Sequence, residues 1–234
     1  MSSSKRKQTG YYYTRGKQKK HDKLLYSMYA LGIIYFAGAI GLKSSAYSEL
    51  LIPYIPFIIL LSVCLLFFNH SNWDIRFVYY LIILSISGFL ISLWGLNTGK
   101  VFGPMTFGKT LGYKISGVPV IMSAIWVMLI CSAGFMMKNM KIKAVFRALI
   151  GAFALVLLDM VLEPFAERFD FWSWGLDHGR SYIPTQNYVA WFLFSFAGLF
   201  YFNIIRVKLR NNFGTFLFIL NVAFFLFCVL FRVD

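Results

Sequence analysis

The sequence predicts an all-α integral membrane protein: a bundle of about seven transmembrane helices with the N-terminus inside. Three observations carry this reading. The 234-residue chain is 59% hydrophobic and 20% aromatic, with only 14% charged residues, more apolar surface than a soluble domain of that size can bury. Apolar runs recur at the ~20-residue length that crosses a bilayer. Basic residues are distributed unevenly among the connections between those runs.

The runs fall at about 24–42, 51–68, 75–96, 118–137, 144–163, 187–205 and 215–231. The second opens with Pro53 and Pro56, which the start of a helix tolerates. A basic stretch precedes the first, but no A-x-A site follows it and six more apolar runs do, so it reads as a span rather than a cleaved leader. With the N-terminus inside, 16 of the 23 Lys and Arg fall on the inner side. The other seven, Lys43, Lys100, Lys109, Lys114, Arg168, Arg180 and Arg232, fall outside. This asymmetry orients a multi-pass protein in the cell (inner) membrane. The net charge of +14 is then a topology signal, not a nucleic-acid surface. Residues 1–23 form a polar, basic tail predicted to be disordered and to rest on membrane lipid headgroups. Residues 24–234 are the transmembrane helical domain.

Several chemistries lack their residues. His21, His70 and His178 are the three histidines, and none is mid-span, which argues against di-iron and haem sites. Cys64, Cys131 and Cys228 sit in apolar runs without disulfide or zinc spacing and read as small core hydrophobes. There is no phosphate-binding or dinucleotide-binding glycine motif. The last span contains no lysine for a retinal Schiff base, and no D-D-x-x-D motif appears for magnesium and a diphosphate. No metal and no cofactor is expected.

Carboxylates, aromatics and amides remain. Five of the nine acidic residues lie between positions 159 and 177: Asp159, Glu163, Glu167, Asp170 and Asp177. A carboxylate inside a span costs ~2.5–3.5 kcal/mol even on lenient insertion scales. Asp159 and Glu163, four apart, share one helix face. Two carboxyls that close in low dielectric tend to share one proton, which leaves a general acid. The alternative is polar glue between helices, with Arg168 as counter-ion. Glu167, Asp170 and Asp177 read as solvated loop charges. Pro164 is expected to kink or end the helix near Glu163.

Two long connections, about 98–117 and 164–186, fall on the same outer face as the end of the fifth span. Long loops on one face commonly carry function. The second is dense in Phe, Trp and Tyr. That density fits an interfacial belt, or a box that stabilises a carbocation by ~2 kcal/mol or more when desolvated. Trp172 and Trp174 are not expected to line one pocket together. Asn187 opens the sixth span, either as a helix cap or as a site residue.

Across 97–191 these residues resemble the CruF-type carotenoid end-group hydratases, a family that includes gamma-carotene 1',2'-hydratase and bisanhydrobacterioruberin hydratase. The resemblance rests on Val101-Phe102-Gly103, Leu111-Gly112, Gly117-Val118-Pro119 with Ile121 and Trp126, and Asp159-x-x-x-Glu163-Pro164. Trp172-x-Trp174, Tyr182-x-x-Pro184, Asn187-Tyr188 and Trp191 complete it. The chain departs from the family pattern after Phe102-Gly103, where Pro104-Met105-Thr106-Phe107 stands in place of a nearby tyrosine.

The resemblance implies acid-catalysed addition of water to the terminal 1',2' double bond of an acyclic carotenoid end, as in lycopene or gamma-carotene. Asp159 and Glu163 would be catalytic, with Trp172, Trp174, Tyr182, Asn187, Trp191, Trp126 and Phe102 around the substrate. It also implies a carotenoid substrate drawn from the bilayer and association with other carotenoid enzymes. Two readings stay open beside it: a proton-initiated end-group cyclase, and a non-enzymatic carrier or proton-coupled transporter of a lipophile.

Overall fold

The computed structural model describes residues 2–175, 182–205, 207 and 209–231. Asp177, His178, Arg180, Arg206, Lys208 and Arg232 lie outside the described residues. Helix α1 runs Ser2–Gly41, and its part Gln18–Gly41 is long and apolar enough to cross a membrane. Helix α2 (Ser45–Leu51) continues through a 3-10 turn, Ile52–Tyr54, into α3 (Ile55–Phe68), so that Tyr47–Phe68 makes one crossing. Pro53 and Pro56 sit in the opening turns of these two pieces, where no intrahelical N–H is lost. The remaining helices are α4 (Ile75–Thr98), α5 (Met122–Met137), α6 (Ala144–Arg168), α7 (Thr185–Ile204) and α8 (Asn212–Leu230). Six crossings have full span length among the described residues. The protein is therefore an all-α multi-pass membrane protein.

Helix α5 holds the bundle together. It packs against α3, α4, α6, α7 and α8, and 13 of its 16 residues are buried. A helix apolar on every side belongs inside other protein. At ~1.5 Å per residue it is about 24 Å long, short of the ~30 Å of hydrocarbon. Encased by longer helices, it does not have to reach both lipid surfaces itself. It starts four residues later than the sequence predicts. Val118–Pro119 (β3) is paired instead with Lys114–Ile115 (β2) in a hairpin, and Gly117 at φ 84 makes the turn. Gly88 of α4 lets Trp126 of α5 approach; an added Cβ there would sit 2.9 Å from the Trp126 ring.

The other departure lies in α6. The helix does not end at Pro164 but runs on to Arg168. Proline there removes one backbone bond, a cost of ~3 kcal/mol. The residues beyond it anchor the last turn: Phe165, Ala166 and Phe169 are buried, and Phe165 packs on Phe171, Phe224 and Phe225. Asp159 thus lies nine residues below the helix end, about 14 Å, rather than just over one turn below an end near Glu163.

The two long loops meet at one end of the bundle. Met105–Phe107 (β1) pairs antiparallel with Trp172–Trp174 (β4), Thr106 opposite Ser173. Their hydroxyls are 2.9 Å apart. Asp170 extends this seam. Its Oδ2 accepts from the Lys109 N–H at 2.7 Å and its carbonyl from Thr110 N–H at 3.3 Å. Asp170 is exposed, as the sequence suggests, yet it also joins the loops. A Cβ on Gly108 would overlap the Asp170 carbonyl, so the close approach needs glycine there.

Candidate active site

Two helices, α6 and α7, and one short strand, β4, bring the polar groups of the site together. Asp159 and Glu163 project from the same face of α6, toward the antiparallel neighbour α7. Asn187 is the third residue of α7, after Pro184 at the cap. It does not cap the helix. Its amide nitrogen donates to Asp159 Oδ2 at 2.8 Å and to Glu163 Oε1 at 3.2 Å. The opposite amide orientation would set a carbonyl oxygen against two carboxyl oxygens, so the network fixes the direction. Asp159, Glu163 and Asn187 are 0%, 2% and 1% exposed.

The strand supplies two more donors. Trp172 Nε1 donates to Glu163 Oε2 at 3.0 Å, and Trp174 Nε1 donates to the same oxygen at 2.8 Å. The expected divergence of the two tryptophans does not occur. Residues two apart on a strand face the same side, and pairing with β1 makes this segment a strand. Glu163 therefore accepts three N–H bonds. Hydrogen bonds to a charged acceptor contribute ~1.5–3 kcal/mol each. Asp159 Oδ1, by contrast, is buried with no hydrogen-bond partner. The Asn187 amide nitrogen bridges the two carboxyls, and two buried carboxyls joined in this way suit a single proton shared by the pair. Among the described residues no Lys or Arg ion-pairs with either acid. Arg168, the expected counter-ion, lies over the Phe169 ring at 5.5 Å.

Glu163, and not Asp159, faces open space. A cavity of about 20 Å³ lies against it, walled by Phe102, Phe107, Trp126, Trp172, Trp174 and Trp191, with Asn187, Ser92, Met105 and Met122. That volume holds about one water. Trp126 and Trp191 pack at 4.5 Å between centroids, and the Trp126 Nε1 donates to Ser92 Oγ at 3.3 Å. Of the substrate-binding residues the sequence nominates, Trp172, Trp174, Asn187, Trp191, Trp126 and Phe102 converge here. Tyr182 does not: it is 78% exposed and outside the cavity wall. Glu167 is exposed as well. Sequence reasoning missed Ser92, Met105, Phe107 and Met122. Only the β1–β4 pairing brings Met105 and Phe107 in, and single residues of β-period two in a three-residue strand leave no signal. Ser92 is one of three serines in α4, with Ser85 and Ser87, and nothing in the sequence singles it out.

A family model described as "Carotenoid biosynthesis protein" matches residues 53–233. The chain is also 29% identical over 139 residues to bisanhydrobacterioruberin hydratase of Haloarcula japonica, an alignment covering 56% of this chain and 47% of that protein. The chain thus spans about half the length of the curated relative it matches. No solved structure matches it. The family match takes in the whole acid and aromatic constellation, from Phe102 to Trp191, together with the four helices, α4 to α7, and the seam that hold it. A multi-pass bundle matched across most of its length places this chain in the carotenoid biosynthesis protein family.

Proposed function

We propose that this protein hydrates the terminal 1',2' double bond of an acyclic carotenoid end group, by acid catalysis through a tertiary carbocation. One observation supports it above others: a buried carboxyl pair, one member held by three N–H donors, beside an aromatic-walled space for one water.

The chemistry needs only those parts. The pair holds one proton. Glu163 is the carboxyl the substrate meets, and Asp159 behind it shares and reloads the proton. Transfer to the less substituted alkene carbon forms one C–H bond and leaves a tertiary cation. Both carboxyls are then ionised. The indole N–H groups of Trp172 and Trp174 and the amide of Asn187 stabilise that new charge where it appears. This answers the difficulty that burial makes carboxyls poor acids, because the donors favour the conjugate base. Faces of Trp126, Trp191 and Phe102 stabilise the cation. A water forms the C–O bond, and its spare proton returns to the pair. Atoms balance as addition of one water, with no cofactor and no metal in any step.

The neighbouring space for a water favours hydration over the cyclase reading, in which the cation would instead lose a proton. A purified preparation given labelled water and labelled O₂ separates oxygen sources. We expect the product hydroxyl to carry the label of water. Label from O₂ would overturn hydration in favour of oxygenation.

The substrate would enter from the bilayer, with one end at the site and the polyene in lipid. The basic tail would rest on inner-leaflet headgroups, and the working face would be the outer side of the cell membrane. Reporter fusions after positions 110 and 175 are expected to give outer-side signal. A cytoplasmic signal at 175 would invert the bundle and make the cytoplasm the source of water. Association with other carotenoid enzymes would let a hydrophobic product pass on without leaving the membrane.

A further inference from the structure

A second cavity, about 300 Å³, lies on the far side of Trp172. Helices α1, α3, α5, α6 and α8 enclose it, with Phe171 and Trp172 from the loop. Ala37, on its wall, is exposed, so the cavity reaches the lipid-facing surface beside α1. Its lining is hydrocarbon and aromatic apart from Tyr35 and Asn221.

Those two polar groups, with Ser62 behind them, form a buried cluster that the acid site does not use. Tyr35 is 8% exposed, Ser62 0% and Asn221 2%. The Tyr35 hydroxyl lies 3.3 Å from Ser62 Oγ and 3.3 Å from Asn221 Oδ1. Ser62 spends its own proton on the Ile58 carbonyl at 2.8 Å. Tyr35 therefore has one proton for two long contacts. Asn221 gives one N–H to the Leu217 carbonyl at 2.9 Å, and its second N–H has no protein acceptor among the described residues. Polar groups in an apolar span are costly. Here they are arranged with one donor and one acceptor to spare, facing a cavity.

We propose that this cavity is a product subsite: it takes about two isoprene units of a chain that ends in a tertiary hydroxyl, the oxygen being read by Asn221 and Tyr35. On the scale by which about 20 Å³ holds one water, 300 Å³ holds roughly fifteen water-sized groups, enough for a ten-carbon end and its hydroxyl. A hydroxyl accepts from the spare Asn221 N–H and donates to Asn221 Oδ1 or the Tyr35 oxygen, which no hydrocarbon end can do. Trp172 is the shared wall: one edge bonds Glu163, and the ring lines this cavity. A hydrated end leaving Glu163 has this space as its neighbour. The tertiary character of the alcohol rests on the hydration reading; the cavity and its polar floor do not.

The test is binding, without turnover, of tritiated probes to the purified full-length chain in lipid nanodiscs. The probes are dihydromyrcenol, a ten-carbon tertiary alcohol, its hydrocarbon counterpart dihydromyrcene, and the primary alcohol citronellol. Saturable binding strongest for dihydromyrcenol is expected. Asn221→Leu should weaken that binding roughly three- to tenfold, the worth of about one hydrogen bond, and leave dihydromyrcene unchanged. Gly38→Leu should abolish saturable binding of all three. A Cβ at Gly38 meets nothing within 4 Å, so leucine fills the cavity without straining the helix and should insert normally.

Asp159→Asn should bind dihydromyrcenol as the native chain does, which separates this proposal from the hydration reading. Saturable binding that survives Gly38→Leu overturns the subsite. Equal loss of alcohol and hydrocarbon in Asn221→Leu overturns the role of the polar floor. Citronellol binding as tightly as dihydromyrcenol overturns the tertiary-alcohol assignment.

Discussion

Asp159→Asn and Glu163→Gln are each expected to lower turnover by ~10²–10⁴-fold, the worth of general acid catalysis, while the chain still inserts and accumulates. Both amides are nearly isosteric with the acids they replace, so packing on α7 survives. Neither can hold the transferable proton. The two variants are not expected to be additive. Removing either carboxyl ends the sharing of a single proton across Asp159 and Glu163, so the double variant should fall little below the worse single one. The check is product formed per unit of membrane-inserted protein. More than about a tenth of native activity in Asp159→Asn would remove Asp159 from the proton path and leave Glu163, the carboxyl facing the cavity, to act alone.

The second large effect is expected at the strand. Trp172→Phe and Trp174→Phe keep an aromatic face and delete an N–H to Glu163 Oε2. Each deleted bond to a charged oxygen is worth ~1.5–3 kcal/mol, or roughly 10- to 150-fold in rate if it is made in the transition state. The loss should appear in kcat more than in KM, because the bond strengthens only as charge develops on Glu163. A pure ring effect predicts the reverse: Phe retained, activity retained. Activity unchanged in the double Phe variant would mean that the indoles act through their faces alone and that Glu163 does not carry developing charge.

Much of the fold was legible because membrane spans advertise themselves. Seven apolar runs of about 20 residues became seven helices, and their connections fell where polar and glycine residues cluster. What failed was local. Pro164 reads as a stop because the rule for proline is written for helices free to end there. Phe165, packed on Phe224 and Phe225 of α8, and Phe169, packed on Phe165, keep the helix going. The pairing of Met105–Phe107 with Trp172–Trp174 was invisible, since three-residue strands 65 residues apart carry no periodicity to detect and their register is set by a seam of side chains such as Asp170.

The site was half legible for a related reason. Asp159 and Glu163 stand out because charge is expensive in a span. Their partners are ordinary residues whose role depends on direction. Asn187 could have capped α7, and only the packing of α6 against α7 aims it at both acids. Tyr182 belongs to the same sequence motif and points to the exterior. Tyr35, Ser62 and Asn221 went unremarked, although the same rule that exposed the carboxylates applies to an amide in the middle of an apolar run. An intramembrane polar residue on each of three different helices is a weaker signal than two carboxylates on one, and only the fold puts the three side by side.

The most direct measurement is the mass of the pigment made when this chain is expressed in bacteria that accumulate lycopene or gamma-carotene. Hydration predicts a new pigment heavier by one water per reacted acyclic end, absent in cells carrying Glu163→Gln. A new pigment of unchanged mass would make the protein a cyclase that uses the same acid and cation. Unchanged pigment, with the protein present in the membrane, would contradict catalysis on these substrates altogether.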